Sequence, residues 1–485
     1  MHEKTREILD FFEQIDSIPR CSKNEEKISK WLFQWGENHG FKTRADRAGN
    51  VVIEVPSTPG DENAPGIIIQ GHMDMVCEKT PDSDHDFTKD PVRLVYEREW
   101  LTADKTTLGA DNGIAIAMGL ALALDKTVTH PPLELLFTVD EEQGLTGANK
   151  LEPGFIMGRI LLNIDSEDEG VLTVGCSGGK ETVITLPLSF SELPEDYCVC
   201  TLAAGGMRGG HSGIDIEKQR ANANKLLSRV LYEAVKACGI RVISLKGGTA
   251  HNAIARDAEA VVACSLAKTD VLADIVREFE QTVLNEYASV EKSPFFRLSR
   301  PQDKSSGLRI PAVTGEDTIK AINLLLALPH GVKGMSMELE GLVETSVNLA
   351  TVEIKDKALR ILTSQRSAVM SKLDALTAEI EAIAALAGAG TESGAAYPAW
   401  QADMESPLLA RCKRIYRDLY GRESVVEIIH AGLECAVIGA RFPGMDMISL
   451  GPTIENPHSP EEKLHIPSIG EVWNFIVEIL KSYCV

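Results

Sequence analysis

The chain has 485 residues, of which 44% are hydrophobic and 25% are charged, so it is expected to form two or three globular domains rather than a disordered, collagen-like or coiled-coil protein. Its 49 lysines and arginines are outnumbered by 71 aspartates and glutamates, and a formal charge of −22 disfavours binding to nucleic acids, whose phosphates it would repel. The longest apolar run, 114–124, is shorter than the roughly 18 residues that a membrane span needs, so no membrane partner is expected.

Ten cysteines are spread from Cys21 to Cys484 without a Cys-x-x-Cys pair. In a chain of this length, that distribution predicts reduced and mostly buried thiols. The charged residues 1–7 contain no apolar signal core. We therefore expect a cytoplasmic protein.

In chain order, the first predicted element is a helix that begins at a capping box of Ser22 and Glu25 and ends at Gly40. Its apolar residues recur at helical spacing: Ile28, Trp31, Leu32 and Trp35. Strands are then predicted at 50–55, 66–70, 133–139 and 160–164, and a long Ala/Leu/Ile helix begins at 111. This alternation predicts an α/β fold with a mostly parallel sheet covered by helices on both faces.

Acidic residues and histidines cluster where these predicted strands end or where the long helix begins. The clusters are Gly71-His72-Met73-Asp74, Asp111-Asn112-Gly113, Asp140-Glu141-Glu142 and Asp165-Ser166-Glu167. Open sheets of this class bind ligands beyond the carboxyl ends of their strands. The coincidence therefore predicts a functional site at this edge.

The alternation of strand and helix patterns changes after about residue 185. Two stretches each place an Asn-containing turn before strand and helix patterns, at 252–287 and 347–386, which indicates a duplicated α+β unit, with two unrelated α+β pieces as the alternative. The α/β pattern resumes with a helix at 407–420, a strand at 446–450 and a helix at 469–483. We predict a catalytic domain of residues 1–187 and 398–485, interrupted by an inserted lid or dimerisation domain of residues 188–397.

Two imidazoles and three carboxylates are suited to bind a pair of divalent ions. These residues are His72, Asp111, Glu142, Asp165 and His458. The mixed nitrogen and oxygen ligands suit zinc, cobalt or manganese. A shared aspartate can bridge the ions, and three carboxylates with one bridging hydroxide would balance their charge. Such a pair can ionise water near neutral pH and polarise a carbonyl group.

Two further acidic residues have predicted roles beside these ligands. Asp74 lies two residues after His72, so both side chains point the same way along a strand and Asp74 can orient the imidazole. Glu141 adjoins Glu142, and because neighbouring side chains diverge it can remain free as a general base. Taken alone, each motif has an ordinary explanation. A His-x-Asp sequence usually lies on the protein surface, and a Glu-Glu pair usually begins a solvated helix. Asp111-Asn112-Gly113 would be a turn or an N-cap. Their order at successive strand ends favours a site.

With these motifs in place, the chain resembles the co-catalytic metallopeptidases of the M20 family. Within that family it is similar to the aminoacyl-histidine dipeptidases, also called cytosolic non-specific dipeptidases. The motifs that carry the resemblance include Gly71-His72-Met73-Asp74, Gly109-Ala110-Asp111-Asn112-Gly113, Asp140-Glu141-Glu142-Gln143-Gly144, Asn163-Ile164-Asp165-Ser166-Glu167, Pro457-His458-Ser459 and His430-Ala431-Gly432-Leu433-Glu434-Cys435. They extend over nearly the whole chain.

The resemblance implies that His72 and Asp165 hold one ion, Glu142 and His458 hold the other, and Asp111 bridges them. It also implies a cis peptide bond between Asp111 and Asn112. Asp74 would orient His72, and Glu141 would be the general base. Asp140 departs from the family's motif.

In the inserted domain, the resemblance assigns His211 of the Gly-rich segment 205–213 to the developing oxyanion, in some relatives from the partner subunit. It assigns Asn252 to substrate binding and Arg366 to the terminal carboxylate of the substrate, which suits a guanidinium fork. The alternatives are a surface histidine, a turn residue and an ion pair at the start of a helix.

We therefore expect a metal-dependent dipeptidase that hydrolyses dipeptides such as aminoacyl-histidine and works as a homodimer. A metal-bridging water would attack, with Glu141 as general base, under a closing inserted domain. The alternative within the same scaffold is a deacylase or tripeptidase. An alternative from another class, a metal-dependent binding protein that has lost its chemistry, is disfavoured by the presence of both Glu141 and Asp74.

Overall fold

The computed structural model describes residues 3–299, 310–337, 341–394 and 396–484. The chain forms two units, and the second interrupts the first. Of the described residues, unit 1 contains those up to Cys176, Trp400–Ile428 and those from Leu433 onward. Unit 2 contains those within Ser177–Ala399 together with Ile429–Gly432.

The elements are numbered along the chain. Before the insertion they are α1 (Glu3–Asp16), α2 (Glu26–Asn38), β1 (Lys42–Ala45), β2 (Val51–Val55), β3 (Ile67–His72), β4 (Leu94–Glu97), β5 (Trp100–Ala103), α3 (Ala110–Leu124), β6 (Leu133–Thr138), α4 (Thr146–Lys150), β7 (Ile160–Asn163) and β8 (Val171–Cys176). Within unit 2 they are β9 (Gly178–Pro187), β10 (Phe190–Glu192), β11 (Tyr197–Gly205), α5 (Ala223–Cys238), β12 (Arg241–Gly247), β13 (Ala258–Ser265), α6 (Thr269–Glu286), β14 (Phe295–Ser299), β15 (Pro311–Val313), α7 (Gly315–Ala327), β16 (Gly331–Met335), β17 (Val343–Lys355), β18 (Ala358–Ser367), α8 (Met370–Leu386) and β19 (Gly390–Ser393). The chain then continues with α9 (Pro407–Tyr420), β20 (Val425–Ile429), α10 (Glu434–Arg441), β21 (Asp446–Ser449), β22 (Ile454–Glu455), β23 (Lys463–His465) and α11 (Ile466–Lys481).

Unit 1 is built on an eight-stranded sheet with the order β1-β2-β6-β3-β7-β21-β8-β20. Its central strands β6, β3, β7 and β21 run parallel, whereas β2 pairs with β6 and β8 pairs with β21 in the antiparallel direction. Strands β3 and β6 are buried along their whole length, as expected for parallel strands covered on both faces. The predicted α/β fold with a mostly parallel sheet is confirmed. A four-stranded sheet, β22-β23-β5-β4, completes the unit.

Helix α3 is deeply buried within unit 1. Its sequence is apolar all round, and all but three of its fifteen residues are buried. The helix therefore packs inside unit 1 rather than on its surface. This position fixes the start of the helix, where Asp111 lies, beside the carboxyl ends of the parallel strands.

Unit 2 contains a nine-stranded sheet in which the pairs are antiparallel. Its main path is β14-β11-β13-β12-β17-β18-β9-β19. The path consists of two four-strand halves, β14-β11-β13-β12 and β19-β9-β18-β17, in which the strands have the same spatial order when numbered along the chain. The halves join where Lys246 pairs with Glu353 and Gly247 pairs with Val352. The boundary predicted at 187–188 lies at the end of β9, which pairs with β18 inside this unit.

At the N-terminal end, one helix was missed and one local prediction is wrong. Helix α1 was not predicted, although its residues Ile8, Phe12 and Ile15 are fully buried. The capping box is also absent: Glu25 is the N-cap residue of α2 and makes no side-chain hydrogen bond to the helix. Instead, the Glu25 Oε1 atom accepts the backbone N–H groups of Lys23 at 2.7 Å and Asp140 at 3.1 Å.

The prediction of a fully reduced set of thiols is also wrong. Cys21 and Cys77 form a disulfide bond across 56 residues of sequence. The other eight cysteines form no disulfide bond in the described structure, and six of them are buried. The spacing of the cysteines gave no sign of this pair, because the two residues meet only after the chain folds. Among the described residues, no helix combines the length and apolar character needed to cross a membrane.

Candidate metal centre and substrate-binding residues

The predicted metal ligands of unit 1 are carried by segments that end at one edge of its sheet. His72 is the last residue of β3, Glu142 lies in the turn after β6, and Asp165 follows β7. Asp111 is the second residue of α3, and His458 lies in the turn between β22 and β23. Because β3, β6 and β7 are parallel, their carboxyl ends meet, and this brings the side chains together.

The Asp111 carboxylate lies between the two histidines. Its Oδ1 atom is 3.0 Å from the Nε2 atom of His72, and its Oδ2 atom is 3.0 Å from the Nε2 atom of His458. The His72 Nε2 atom is also 3.4 Å from Asp165 Oδ1, and the His458 Nε2 atom is 3.0 Å from Glu142 Oε1. The result is two groups of three donor residues that share Asp111, each with donor atoms within 4.8 Å of one another.

The donor chemistry of these groups fits a pair of divalent cations. Burial lowers the pKa of His458, but hydrogen bonds and charge interactions with Asp111 and Glu142 outweigh burial and raise this pKa to about 11. The carboxylates thus create a strongly negative environment that favours a cation. The Glu142 Oε1 atom is buried and lies 3.0 Å from the Nε2 atom of His458. A carboxylate oxygen and an imidazole nitrogen that face each other in this way are ligands that a divalent ion accepts.

Asp74 holds both the histidine and the acidic turn after β6. The His72 Nδ1 atom lies 3.1 Å from the backbone oxygen of Asp74 and 3.3 Å from its Oδ1 atom. The carboxylate also accepts the backbone N–H groups of Glu141 at 3.0 Å and Glu142 at 3.3 Å. Since Nδ1 faces acceptors, it carries the hydrogen and leaves Nε2 free to bind a metal. Burial raises the pKa of Asp74, but the interaction with His72 outweighs it, and the net change is downward.

Glu141 lies beside the predicted metal ligands but belongs to neither of the two groups that share Asp111. Its donor atom belongs to a group with those of His72 and Glu142. Burial raises the pKa of Glu141 well above its ordinary value, His72 lowers it, and Glu142 and Asp165 raise it further. A carboxylate that holds protons readily and lies next to the donor groups is suited to proton transfer.

Two supporting residues of unit 1 were missed by the sequence analysis because they bind backbone groups. The Asn112 side chain accepts the His72 N–H at 3.1 Å and donates to the Ile164 carbonyl at 2.5 Å, so it links β3, α3 and the segment after β7. The peptide bond between Asp111 and Asn112 is cis, as the resemblance implies. The guanidinium of Arg20 donates to the carbonyl of Gly109 at 2.6 Å. Only the i,i+4 spacing of Asp16 and Arg20 signals this role.

The other three predicted site residues belong to unit 2. The Nδ1 atom of His211 accepts the backbone N–H groups of Gly213 at 3.3 Å and Ile214 at 3.2 Å. The hydrogen of the neutral ring therefore lies on Nε2, which makes this atom a donor. The backbone oxygen of Asn252 accepts the N–H of Ser212 at 2.7 Å, so His211 and Asn252 lie on neighbouring segments.

Arg366 lies within β18 rather than at the start of a helix. Its Nη1 atom donates to the Tyr397 hydroxyl at 3.0 Å, and its buried Nε atom has no hydrogen-bond partner. Arg366 and His211 both lower the pKa of His430 after the larger effect of burial, which places the two near the same histidine. Unit 2 thus brings a ring N–H donor and a guanidinium into one neighbourhood.

His430 has a structural role in unit 2. It is 7% exposed, and its ring nitrogens contact the hydroxyl groups of Ser177 at 2.8 Å and Ser346 at 2.7 Å. Both nitrogens are thus engaged within unit 2. The role in catalysis that the resemblance implies for a histidine of unit 2 belongs to His211, not to His430.

Comparisons with known proteins identify relatives that align with nearly the whole chain. The model of peptidase family M20/M25/M40 matches residues 68–482. The cytosol non-specific dipeptidase of Escherichia coli K12 is 40% identical over 475 residues, which cover 98% of this chain and 97% of the relative. The aminoacylhistidine dipeptidase structure from Vibrio alginolyticus is 38% identical with a TM-score of 0.85, covering 98% of this chain and 96% of that one.

A more distant structure shows the fold alone. The aminopeptidase PepT of Bacillus cereus has a TM-score of 0.57 and 15% identity, with 99% of both chains covered. The family match and the long alignments above confirm the resemblance inferred from the sequence motifs. This chain belongs to peptidase family M20/M25/M40.

Proposed function

We propose that this chain is a metal-dependent dipeptidase that hydrolyses small dipeptides such as aminoacyl-histidine. The observation that carries the proposal is the position of Asp111, whose two carboxylate oxygens each lie 3.0 Å from a different histidine. Full-length similarity to relatives named cytosol non-specific dipeptidase and aminoacylhistidine dipeptidase supports the substrate class.

We assign two divalent ions to this centre. Zinc is the ion that we favour, and cobalt and manganese also suit its ligands. His72 and Asp165 would hold one ion, Glu142 and His458 the other, and Asp111 both. When bound, such ions lower the pKa of water and polarise a carbonyl group.

The residues of the chain then have distinct tasks. Glu141 takes the proton of the attacking water and passes it to the leaving amine, and Asp74 fixes the backbone of Glu141 for this transfer. The Nε2–H group of His211 is assigned to the oxyanion that develops on the scissile carbonyl. Arg366 and Asn252 are assigned to the terminal carboxylate of the substrate, a preference that selects short peptides.

Replacing Glu141 tests the general-base role. Glu141→Gln should lower kcat about 10²- to 10⁴-fold, because the water loses its proton acceptor, while both ions stay bound. Metal content by mass spectrometry and kcat on an aminoacyl-histidine dipeptide are the measurements. Glu152→Gln, at an exposed residue outside the centre, is the matched control and should keep full activity. Full activity of Glu141→Gln would exclude the role.

A substrate panel tests the dipeptidase assignment against a tripeptidase or deacylase on the same scaffold. Rates should be highest on dipeptides, since Arg366 and Asn252 are assigned to a carboxylate one residue beyond the scissile bond. The panel compares an aminoacyl-histidine dipeptide, a tripeptide and an N-acetyl amino acid. A higher kcat/KM for either of the last two would overturn the assignment. We also propose a cytoplasmic homodimer, which light scattering on the purified protein checks for subunit number.

A further inference from the structure

Glu462 is a buried carboxylate with no part in the chemistry described so far. It is 2% exposed and lies in the segment between β22 and β23. Its Oε2 atom accepts the backbone N–H groups of Leu108 at 2.8 Å and Gly109 at 3.0 Å. Its Oε1 atom lies 3.3 Å from the backbone nitrogen of Asp111 and accepts that N–H as well. One side chain therefore satisfies three donors at the start of α3.

The turn that Glu462 binds also accepts a hydrogen bond from Arg20. The carbonyl of Gly109 accepts the Nη2 group of Arg20 at 2.6 Å, while its N–H donates to Glu462. Gly109 has a φ of 75°, and a Cβ atom there would lie 2.5 Å from Arg20 Nη2. The backbone before Asp111 thus has a defined path, set by the carboxyl group of Glu462 and the guanidinium of Arg20.

The same loop also supplies a predicted metal ligand. His458 precedes Glu462 by four residues, and the backbone N–H of Glu462 donates to the Ser459 carbonyl at 3.0 Å. His458 contacts one oxygen of Asp111, and Glu462 holds the backbone of Asp111. The loop therefore fixes the position of Asp111 through both its side chain and its main chain.

We propose that Glu462 is a positioning residue that sets the Asp111 carboxylate for binding two metal ions. The inference rests on the proposed function, because it takes Asp111 as the shared ligand. A glutamate side chain suits the task because its two carboxyl oxygens accept three backbone N–H groups at the start of α3. An amide would place an NH₂ donor against backbone N–H donors and would displace the turn.

Metal binding tests this role separately from activity. Glu462→Gln is prepared metal-free and titrated with Zn²⁺ in competition with a chromophoric chelator. We expect a 10- to 100-fold loss of zinc affinity, the usual effect of losing a partner that orients a ligand. Glu461→Gln changes the exposed neighbour and is the matched control, with wild-type affinity expected. At saturating zinc, Glu462→Gln should recover most of its kcat with an unchanged KM.

Glu462→Asp keeps the charge but shortens the reach, so its zinc affinity should fall between those of the wild type and Glu462→Gln. It also provides the test if Glu462→Gln does not fold. Wild-type zinc affinity in either variant, once folded by circular dichroism, would overturn the proposal. If the wild type itself fails to bind two zinc ions, the proposed function fails instead, so the two failures are distinguishable.

Discussion

At the scale of single residues, Arg20 is the clearest case of a charge that organises backbone. Its guanidinium is 1% exposed, pairs with Asp16 at 2.8 Å and donates to the carbonyl groups of Gly109, Met73 and Asp74. Burial raises the pKa of Asp16 to about 6, and Arg20 opposes that change. The pair therefore connects the segment after β3 with the start of α3 at the cost of two buried charges.

Removing the guanidinium should destabilise the protein strongly. Arg20→Met is expected to lower the free energy of unfolding by about 3–5 kcal/mol, because it leaves Asp16 buried without its partner. Urea denaturation at pH 7.5 measures this change. The double variant Asp16→Asn/Arg20→Met should be less destabilised than Arg20→Met alone, since the unpaired charge is gone. Equal loss in both would show that the ion pair is not the cause.

His430 makes a pH dependence of stability predictable. Burial, with smaller effects of Arg366 and His211, lowers its pKa from 6.5 to about 3 in the folded protein. Between these values the unfolded chain binds more protons, so stability falls as the pH drops from 6.5 towards 3, by about 1.4 kcal/mol per pH unit at most. Urea midpoints should depend less on pH over this range in His430→Gln than in the wild type. His39→Gln, at an exposed position, should keep the wild-type slope.

At the scale of elements, the strand ends explain why the clustering of the proposed metal ligands could be predicted. His72, Glu142 and Asp165 follow runs of buried apolar residues, and a parallel sheet collects such positions at one edge. Arg20 and Glu462 carry no such mark, because their partners are backbone N–H and C=O groups. Every residue has those groups, so no side-chain pattern identifies which of them will need a buried charge.

The predicted capping box is absent because its side chains bind groups that are distant in sequence. Ser22 and Glu25 have the residue types and spacing of the motif, but in the folded chain Ser22 contacts Asp74 and Glu25 accepts the N–H of Asp140. Both side chains serve segments distant in sequence. Local helix signals predicted most of α2, but tertiary contacts of the site determined which atoms Ser22 and Glu25 bind.

The Cys21–Cys77 disulfide provides a prediction at this scale. Closing 56 residues should stabilise the oxidised protein by about 4 kcal/mol relative to the reduced one, in a loop-entropy model. Dithiothreitol should therefore lower the melting temperature of the wild type. The double variant Cys21→Ser/Cys77→Ser should melt lower and no longer respond to the reductant, whereas Cys484→Ser should behave like the wild type. A wild-type melting temperature that dithiothreitol leaves unchanged would contradict the stabilisation.

At the scale of the whole molecule, the sequence indicated an inserted unit but could not give its strand order. The α/β sequence pattern ends near residue 185 and resumes near residue 400, which predicted an inserted domain. In the structure, unit 1 is interrupted after Cys176 and resumes at Trp400. The order β14-β11-β13-β12-β17-β18-β9-β19 depends on pairings such as that of β9 with β18, whose partners lie far apart in sequence. Periodicity identifies a strand and its buried face, but several partners satisfy the same pattern.

The division into units predicts where metal removal acts. All five proposed ligands belong to unit 1, so bound zinc should stabilise that unit by about 2.7 kcal/mol per site at a free concentration 100 times the dissociation constant. Hydrogen exchange measured by mass spectrometry, with zinc and after chelation, should show the largest loss of protection in peptides containing His72, Asp111 and His458. Asp111→Asn should lose most of this difference, because the shared ligand is weakened. Equal changes across peptides of both units, or larger ones in unit 2, would contradict a metal centre built from unit 1.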